Sequence, residues 1–189
     1  MDVPRPELAL SELTTADLPF LFELWHKPEV MQYADEFPRL RGWSKNDAPK
    51  RAWRLYQEHR TELGNEYTQL ILWIGSLRIG ESFISPLQEG YTFGRWLKPD
   101  GVRCVMGDIK LEPMHWGHGL GTQGMRRVVE WVFEHTSCAL FVVPPHRHNP
   151  AAERVYEKAG FVRFRGMRSW RNHRIWELTR QRFEELYDQ

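Results

Sequence analysis

The sequence predicts an α/β or α+β domain, and three observations carry that prediction. Helical stripes alternate with short apolar strands in the order β-α-α-β-β-β-α-β-α-β-β. The segment ALFVV, residues 139–143, is continuously apolar, as expected of a strand buried on both faces. No repeat, low-complexity tract or linker interrupts the chain, so residues 1–189 are expected to form one domain with a substantial core.

Each element has its own signal. Residues 8–13 alternate weakly and predict a first strand. Thr15 is the expected cap of a helix whose Leu18, Leu21, Phe22 and Trp25 fall at helical spacing. A polar, aromatic connection follows. A second helix then aligns Ala48, Ala52, Leu55, Tyr56, His59 and Leu63, and stops at Gly64-Asn65. Residues 69–74 and 78–84 predict two strands joined by a tight turn at Gly75-Ser76. A loop punctuated by glycine and proline leads to a strand predicted over 104–112. The third helix, starting near Thr122, places Met125, Val128, Val129, Val132 and Phe133 on one face. After ALFVV, Asn149 is an N-cap with Pro150 at the first helical position. Ala152, Val155, Tyr156 and Ala159 form that helix's inner stripe, and Gly160 ends it. Residues 161–168 and 173–178 predict a closing pair of strands, with Val162 and Phe164 inward and Arg163 and Arg165 outward.

Composition excludes several classes. The formal charge is +1, so nothing global favours nucleic acid or membrane. Cys104 and Cys138 form no CxxC pair, which argues against a zinc site or a disulfide framework. They read as small core residues in a reducing compartment. The N-terminus, MDVPRPELAL, has prolines and acids where a signal peptide needs a basic start and an apolar stretch. No run approaches the ~20 apolar residues of a membrane span. A cytoplasmic protein is expected.

The stretch MHWGHGLGTQGMRRVVEWVF, residues 114–133, raises the functional question, because Gly117, Gly119, Gly121 and Gly124 crowd the start of a helix. A dinucleotide fingerprint would need its strand to run straight into the glycines and an acid at the end of the next strand. Here EPMHWGH intervenes and the next strand ends FVVPPHRHN, without an acid. A triphosphate loop would need a lysine at fixed spacing, also missing. What fits is a diphosphate held by backbone N–H groups and the positive end of the helix dipole, with Thr122 adding a hydroxyl. The bland alternative is a glycine-rich turn that only connects strand to helix.

Two motifs in order resemble the GNAT superfamily of acyl-CoA N-acyltransferases. Its phosphate loop reads Arg/Gln-x-x-Gly-x-Gly/Ala, and Trp116-Gly117-His118-Gly119-Leu120-Gly121 occupies that frame, with Trp116 in the first position. Its second signature is Asn, Tyr seven residues on, then Gly-Phe, matched by Asn149, Tyr156, Gly160 and Phe161. The stretch GVRCVMGDIKLEP is further similar to the branch of aminoglycoside 6'-N-acetyltransferases and siderophore-type acyltransferases. The resemblance implies a mixed, twisted, mostly antiparallel sheet of six or seven strands flanked by helices. It implies acetyl-CoA as co-substrate, no metal, a small-molecule amine as acceptor, and a homodimer as the family-level expectation. Trp116, Gly117, His118, Gly119, Leu120, Gly121 and Thr122 would hold the diphosphate. Leu111 to Pro113 and Asn149 would meet the pantetheine arm, where the strands 104–112 and 139–143 splay.

Acetyl transfer needs a neutral amine, a polarised thioester carbonyl and a proton for the leaving thiolate. Alternation places Met106, Asp108, Lys110 and Glu112 on one face of their strand. Asp108 matches the acid that serves the acceptor amine in relatives, directly or through a water; Glu112 is its rival. Tyr156 matches the family's proton donor to the coenzyme sulfur, though its place on an apolar stripe also suits a packed core tyrosine. His146 and His148 form an HxH pair beside Arg147, without the further ligands a closed zinc site needs. Arg147 or a histidine near the coenzyme's terminal phosphate is an equal reading. The arginines of FVRFRGMRSWRNHR suit a solvated hairpin better than an RNA-binding surface. Acceptor choice is expected from the segments 26–47 and 86–103, where Trp25, Tyr33, Trp43, Tyr91, Phe93 and Trp96 suggest an apolar or stacking pocket. The alternatives are a non-catalytic acyl-CoA-binding module and an acetyltransferase directed at protein or RNA.

Overall fold

A computed structural model describes residues 7–34, 42–166 and 170–187. Residues 35–41 of the segment expected to set acceptor choice, and the last two residues of the strand predicted over 161–168, lie outside the described residues. The chain begins with β1 (Leu8–Glu12), α1 (Leu18–His26), a single turn α2 (Pro28–Met31) and α3 (Pro49–Leu63). The hairpin of β2 (Thr68–Ile74) and β3 (Leu77–Pro86) follows, then a two-stranded excursion, β4 (Thr92–Phe93) and β5 (Trp96–Leu97). Next come β6 (Cys104–Gly107), β7 (Lys110–Leu111), α4 (Leu120–His135), β8 (Leu140–Val143) and α5 (Pro150–Lys158). The chain closes with β9 (Val162–Arg163), β10 (Trp176–Thr179) and α6 (Arg180–Tyr187).

The sheet runs β1-β2-β3-β6-β8-β10-β9, with β7 also on β3. Its pairings are antiparallel except β6 with β8, which is parallel. The sheet is therefore mixed and mostly antiparallel, as predicted. Each face carries a core. On one, Met125, Val128, Val129 and Val132 of α4 are fully buried against Phe141 and Val143. Burying each such side chain contributes about 1.5–3 kcal/mol relative to leaving it exposed. On the other face, Leu21, Leu24 and Trp25 of α1 join Ala52 and Tyr56 of α3. Leu70 faces the first cluster and its neighbour Ile71 the second, as strand alternation requires. Gly124 lets α4 lie this close: a Cβ there would sit 2.5 Å from Leu72 Cδ2. Cys104 and Cys138 are buried free thiols, pushed up by burial to about 11 and about 12.

Several expectations need correction. The cap before α1 is not at Thr15: Thr14 ties its N–H and its hydroxyl to Asp17 Oδ2, at 2.8 and 2.7 Å, so a short 3-10 turn precedes the helix. The loop 86–103 folds inward, burying Phe93 and Trp96 with Cys104, Leu140 and Ile175. Val162 is 48% exposed, because β9 is an edge strand and only Phe164 reaches the cover of that cluster. The helix α6 was not foreseen, since Phe183 is its sole buried residue and leaves almost no periodic signal.

Candidate active site

The strand predicted over 104–112 is interrupted at Asp108 and Ile109. Asp108 N–H still donates to the Phe83 carbonyl at 3.2 Å. In return, Phe83 N–H donates to the Asp108 side chain, Oδ1 at 3.2 Å, and the Asp108 carbonyl instead accepts from Ser82 Oγ at 2.6 Å. A short carboxylate competing with the main chain is the reason Asp is a poor strand residue. Parallel pairing of β6 with β8 ends at Met106 and Val142. Beyond it, β7 stays on β3 while β8 stays on β10, so the two lines separate.

A cavity of about 300 Å³ opens in that gap. Asp108, Ile109 and Lys110 line it from the interrupted strand, and Asn149, Ala152 and Tyr156 from α5. Trp25, Tyr33 and Trp43 form an aromatic wall, whereas Tyr91, Phe93 and Trp96 do not reach the cavity. Phe93 instead packs behind it, edge-on to His173 at 6.4 Å. His146 stacks on Tyr33 with ring centroids 4.8 Å apart. Among the described residues, no three His, Cys, Asp or Glu side chains are grouped to hold a metal.

The side chains meeting at the cavity form an ordered polar chain. Lys110 is 6% exposed, contacts Asp108 Oδ2, and lies 3.1 Å from Glu81 Oε1. Glu81 is fully buried; Trp25 Nε1 donates to it at 3.0 Å and the Gln69 amide donates to its other oxygen. This cation was missed in the sequence because alternation puts Lys110 on the Asp108 face but cannot reveal that Glu81 is its cross-strand partner. Glu112, the rival acid, pairs with Lys27 and does not line the cavity. Tyr156 is buried, and its phenol is pushed well above the usual tyrosine range, chiefly by burial and then by the charge of Asp108. The Ile109 backbone opposes that rise by hydrogen bonding to the hydroxyl.

The glycine loop sits at the other end of the gap. Gly117 and Gly119 have φ of +79° and +78°, and a Cβ on either would meet nothing within 4 Å. They are needed for their left-handed backbone, which other L residues adopt at a cost of about 1–2 kcal/mol. Gly119 is the N-cap of α4, and no side chain caps that helix. Gly121 lies against Val155 and Leu111, and so links the loop to the walls of the gap. Trp116 and His118 are exposed, and Thr122 is half-buried. The Leu111 carbonyl accepts from Trp116 Nε1 at 3.0 Å, which gives Trp116 a structural role in bracing the loop. Asn149 Oδ1 caps α5 by accepting from Ala152 N–H at 3.1 Å. A diphosphate would find room at the bare backbone of Gly117 and Gly119, while Asn149 lines the cavity together with Asp108 and Tyr156.

Residues 7–162 match the family described as acetyltransferase (GNAT) domain. The chain belongs to this family. This GNAT chain is an acyltransferase of the N-acetyltransferase type. Its fold is similar to spermidine N-acetyltransferase from Vibrio cholerae in complex with CoA and spermine, at 17% identity and a TM-score of 0.69, covering 95% of this chain and 99% of that one. It is also similar to AAC(6')-Ib in complex with ribostamycin and coenzyme A, at 24% identity and a TM-score of 0.70, covering 96% and 98%. An aminoglycoside N(6')acetyltransferase from Legionella pneumophila aligns at 15% identity and a TM-score of 0.62, covering 97% and 98%. No helix among the described residues is long and apolar enough to cross a membrane.

Proposed function

We propose that this GNAT chain, acting as one domain, moves an acetyl group from acetyl-CoA to a primary amine of a small molecule while both are bound. The observation that carries this reading is that Asp108 of the interrupted strand and Tyr156 of α5 line one cavity, in a strand gap whose flanking residues Leu111 and Val155 lie against Gly121 of the glycine loop. Bound acetyl-CoA supplies an activated acetyl carbon as its thioester. The backbone donors of residues 117–122 and the N-terminus of α4 hold its diphosphate. The Asn149 amide nitrogen, left over from capping, meets the pantetheine arm.

Asp108 accepts a proton from the acceptor ammonium, directly or through one water, and so frees the nitrogen lone pair. The amine nitrogen then bonds to the acetyl carbon as the carbon–sulfur bond breaks. The second proton that the nitrogen sheds replaces the one Tyr156 gives to the sulfur, while Asp108 returns its proton to solvent. Tyr156 stays protonated because burial disfavours its phenolate. With the Ile109 backbone hydrogen-bonded to its oxygen, the hydroxyl proton is available to the departing sulfur. The two buried free thiols suit a reducing, cytoplasmic compartment.

The acceptor side favours a weakly charged amine. Asp108 is the sole carboxylate among the described residues lining the cavity, where Lys45 and Lys110 are cations and the walls are aromatic. Kanamycin-type sugars carry several ammonium groups that this lining would leave unpaired, whereas an aryl-alkyl amine presents one ammonium and an apolar body. We expect efficient, saturable acetylation of aryl-alkyl amines or hydroxylamines and poor acetylation of aminoglycosides in an acceptor panel. Preference for the sugars would overturn this choice. Asp108→Asn should lower kcat/KM on the best acceptor by about 10²–10³, the size of a general-base contribution. Acetyl-CoA binding with no turnover on any amine would instead indicate a binding module.

A further inference from the structure

The polar chain behind Asp108 has no part in the steps just described. Lys110 is a buried cation between two carboxylates, and it touches both. Glu81 lies deeper, held by the Trp25 indole and the Gln69 amide, while the Asp108 side chain is 33% exposed toward the cavity. Among the described residues, two carboxylates and one ammonium leave one negative charge on the cluster. Which end carries it is a matter of how Lys110 is shared.

We propose that Lys110 and Glu81 are positioning residues for the transfer: Glu81 draws on the Lys110 ammonium and thereby leaves Asp108 basic enough to take a proton from the acceptor. This rests on the reading of Asp108 as the base. Physically, Lys110 alone would favour the carboxylate form of Asp108 and weaken it as a base. Glu81 offsets that pull by partly neutralising the cation and by adding its own negative charge farther away. Among the described residues, the other titratable or charged groups that share the cavity with Asp108 are Tyr33 after α2, Lys45 before α3, Tyr156 from α5, and His146 and His173 from the segments after β8 and before β10. The field of this cluster is felt at Tyr156, whose phenol is raised by burial, then by Asp108 and, more weakly, by Glu81.

The cluster makes two single substitutions act in opposite directions. Glu81→Gln leaves Lys110 to Asp108 alone, so the Asp108 carboxyl should titrate at lower pH. Lys110→Met removes the cation and leaves two carboxylates, so it should titrate at higher pH; a shift of about one pH unit or more each way is expected. Carbon-detected NMR of the Asp108 carboxyl in the full chain reads this without activity, and the acidic limb of kcat/KM on the best acceptor should follow it. The combined variant Glu81→Gln with Lys110→Met leaves no buried charge unpaired, and its Asp108 should titrate above wild type and below Lys110→Met. Should a single variant fail to fold, the combined variant against wild type carries the test. An Asp108 titration unmoved in the folded variants, or moved the same way by both single substitutions, overturns the proposal. If the carboxyl moves as expected but the kcat/KM limb stays put, the coupling holds and Asp108 is not the base.

Discussion

Two helices flank the gap in the sheet, and their N-termini are built in opposite ways. The first of these, α5, is closed by its own sequence: Asn149 caps Ala152 N–H and Pro150 takes a position where a missing N–H costs nothing. The second, α4, follows an N-cap, Gly119, in a left-handed conformation, with no side-chain cap and open space around Gly117 and Gly119. A helix leaves its first N–H groups without intrahelical partners, so some other group must satisfy them. One terminus answers from within the chain and so is stable by itself. The other leaves the answer to solvent or an anionic ligand. The difference teaches that α5 contributes side chains to the cavity from a fixed frame, whereas α4 leaves bare backbone at its N-terminus.

The sharpest way to break that contrast is to give α4 the kind of cap α5 has. Gly119→Asp places a carboxylate at the N-cap, where the left-handed backbone strains it by about 1–2 kcal/mol, a cost the fold should survive. Its charge and bulk stand where the diphosphate is proposed to bind, and the dissociation constant for acetyl-CoA by calorimetry should rise about a hundredfold, the equivalent of two 1.4 kcal/mol steps. Unchanged affinity would remove the loop from the site. A smaller effect is expected inside α5. Tyr156→Phe should leave acetyl-CoA affinity within about twofold and lower kcat roughly tenfold, since only the hydroxyl is lost.

The same tyrosine makes an alkaline prediction. Its folded phenol lies above the unfolded value of about 10, so its stabilising contribution is intact below pH ~10 and is lost as pH rises beyond it. Tyr91 and Tyr187 are raised by burial as well, so Tyr156→Phe should flatten only part of the alkaline fall in Tm. The smallest change is at the closed terminus. Asn149→Ala should cost about 1 kcal/mol of stability, read as a drop of a few degrees in Tm, with at most a modest loss of coenzyme affinity. If Asn149→Ala weakened acetyl-CoA as much as Gly119→Asp does, the two termini would not differ in role.

What the sequence by itself determined is whatever depends on a few neighbouring residues. The stripe of α4, the continuously apolar β8, the cap at Asn149 and the glycine loop all appear where periodicity and turn chemistry put them. These signals are local: a helix face repeats every few residues, and a left-handed turn demands glycine. Only the tertiary structure decided the rest. The strand break follows from Asp108 bonding to Phe83 and Ser82 on β3, and no pattern within residues 104–112 announces those partners. The burial of Lys110 depends on Glu81 lying opposite it, and the inward fold of the segment 86–103 depends on apolar partners contributed by β8 and Ile175. Register and burial are set by segments far apart in the chain, because a buried charge or aromatic ring is stable only where another element satisfies it.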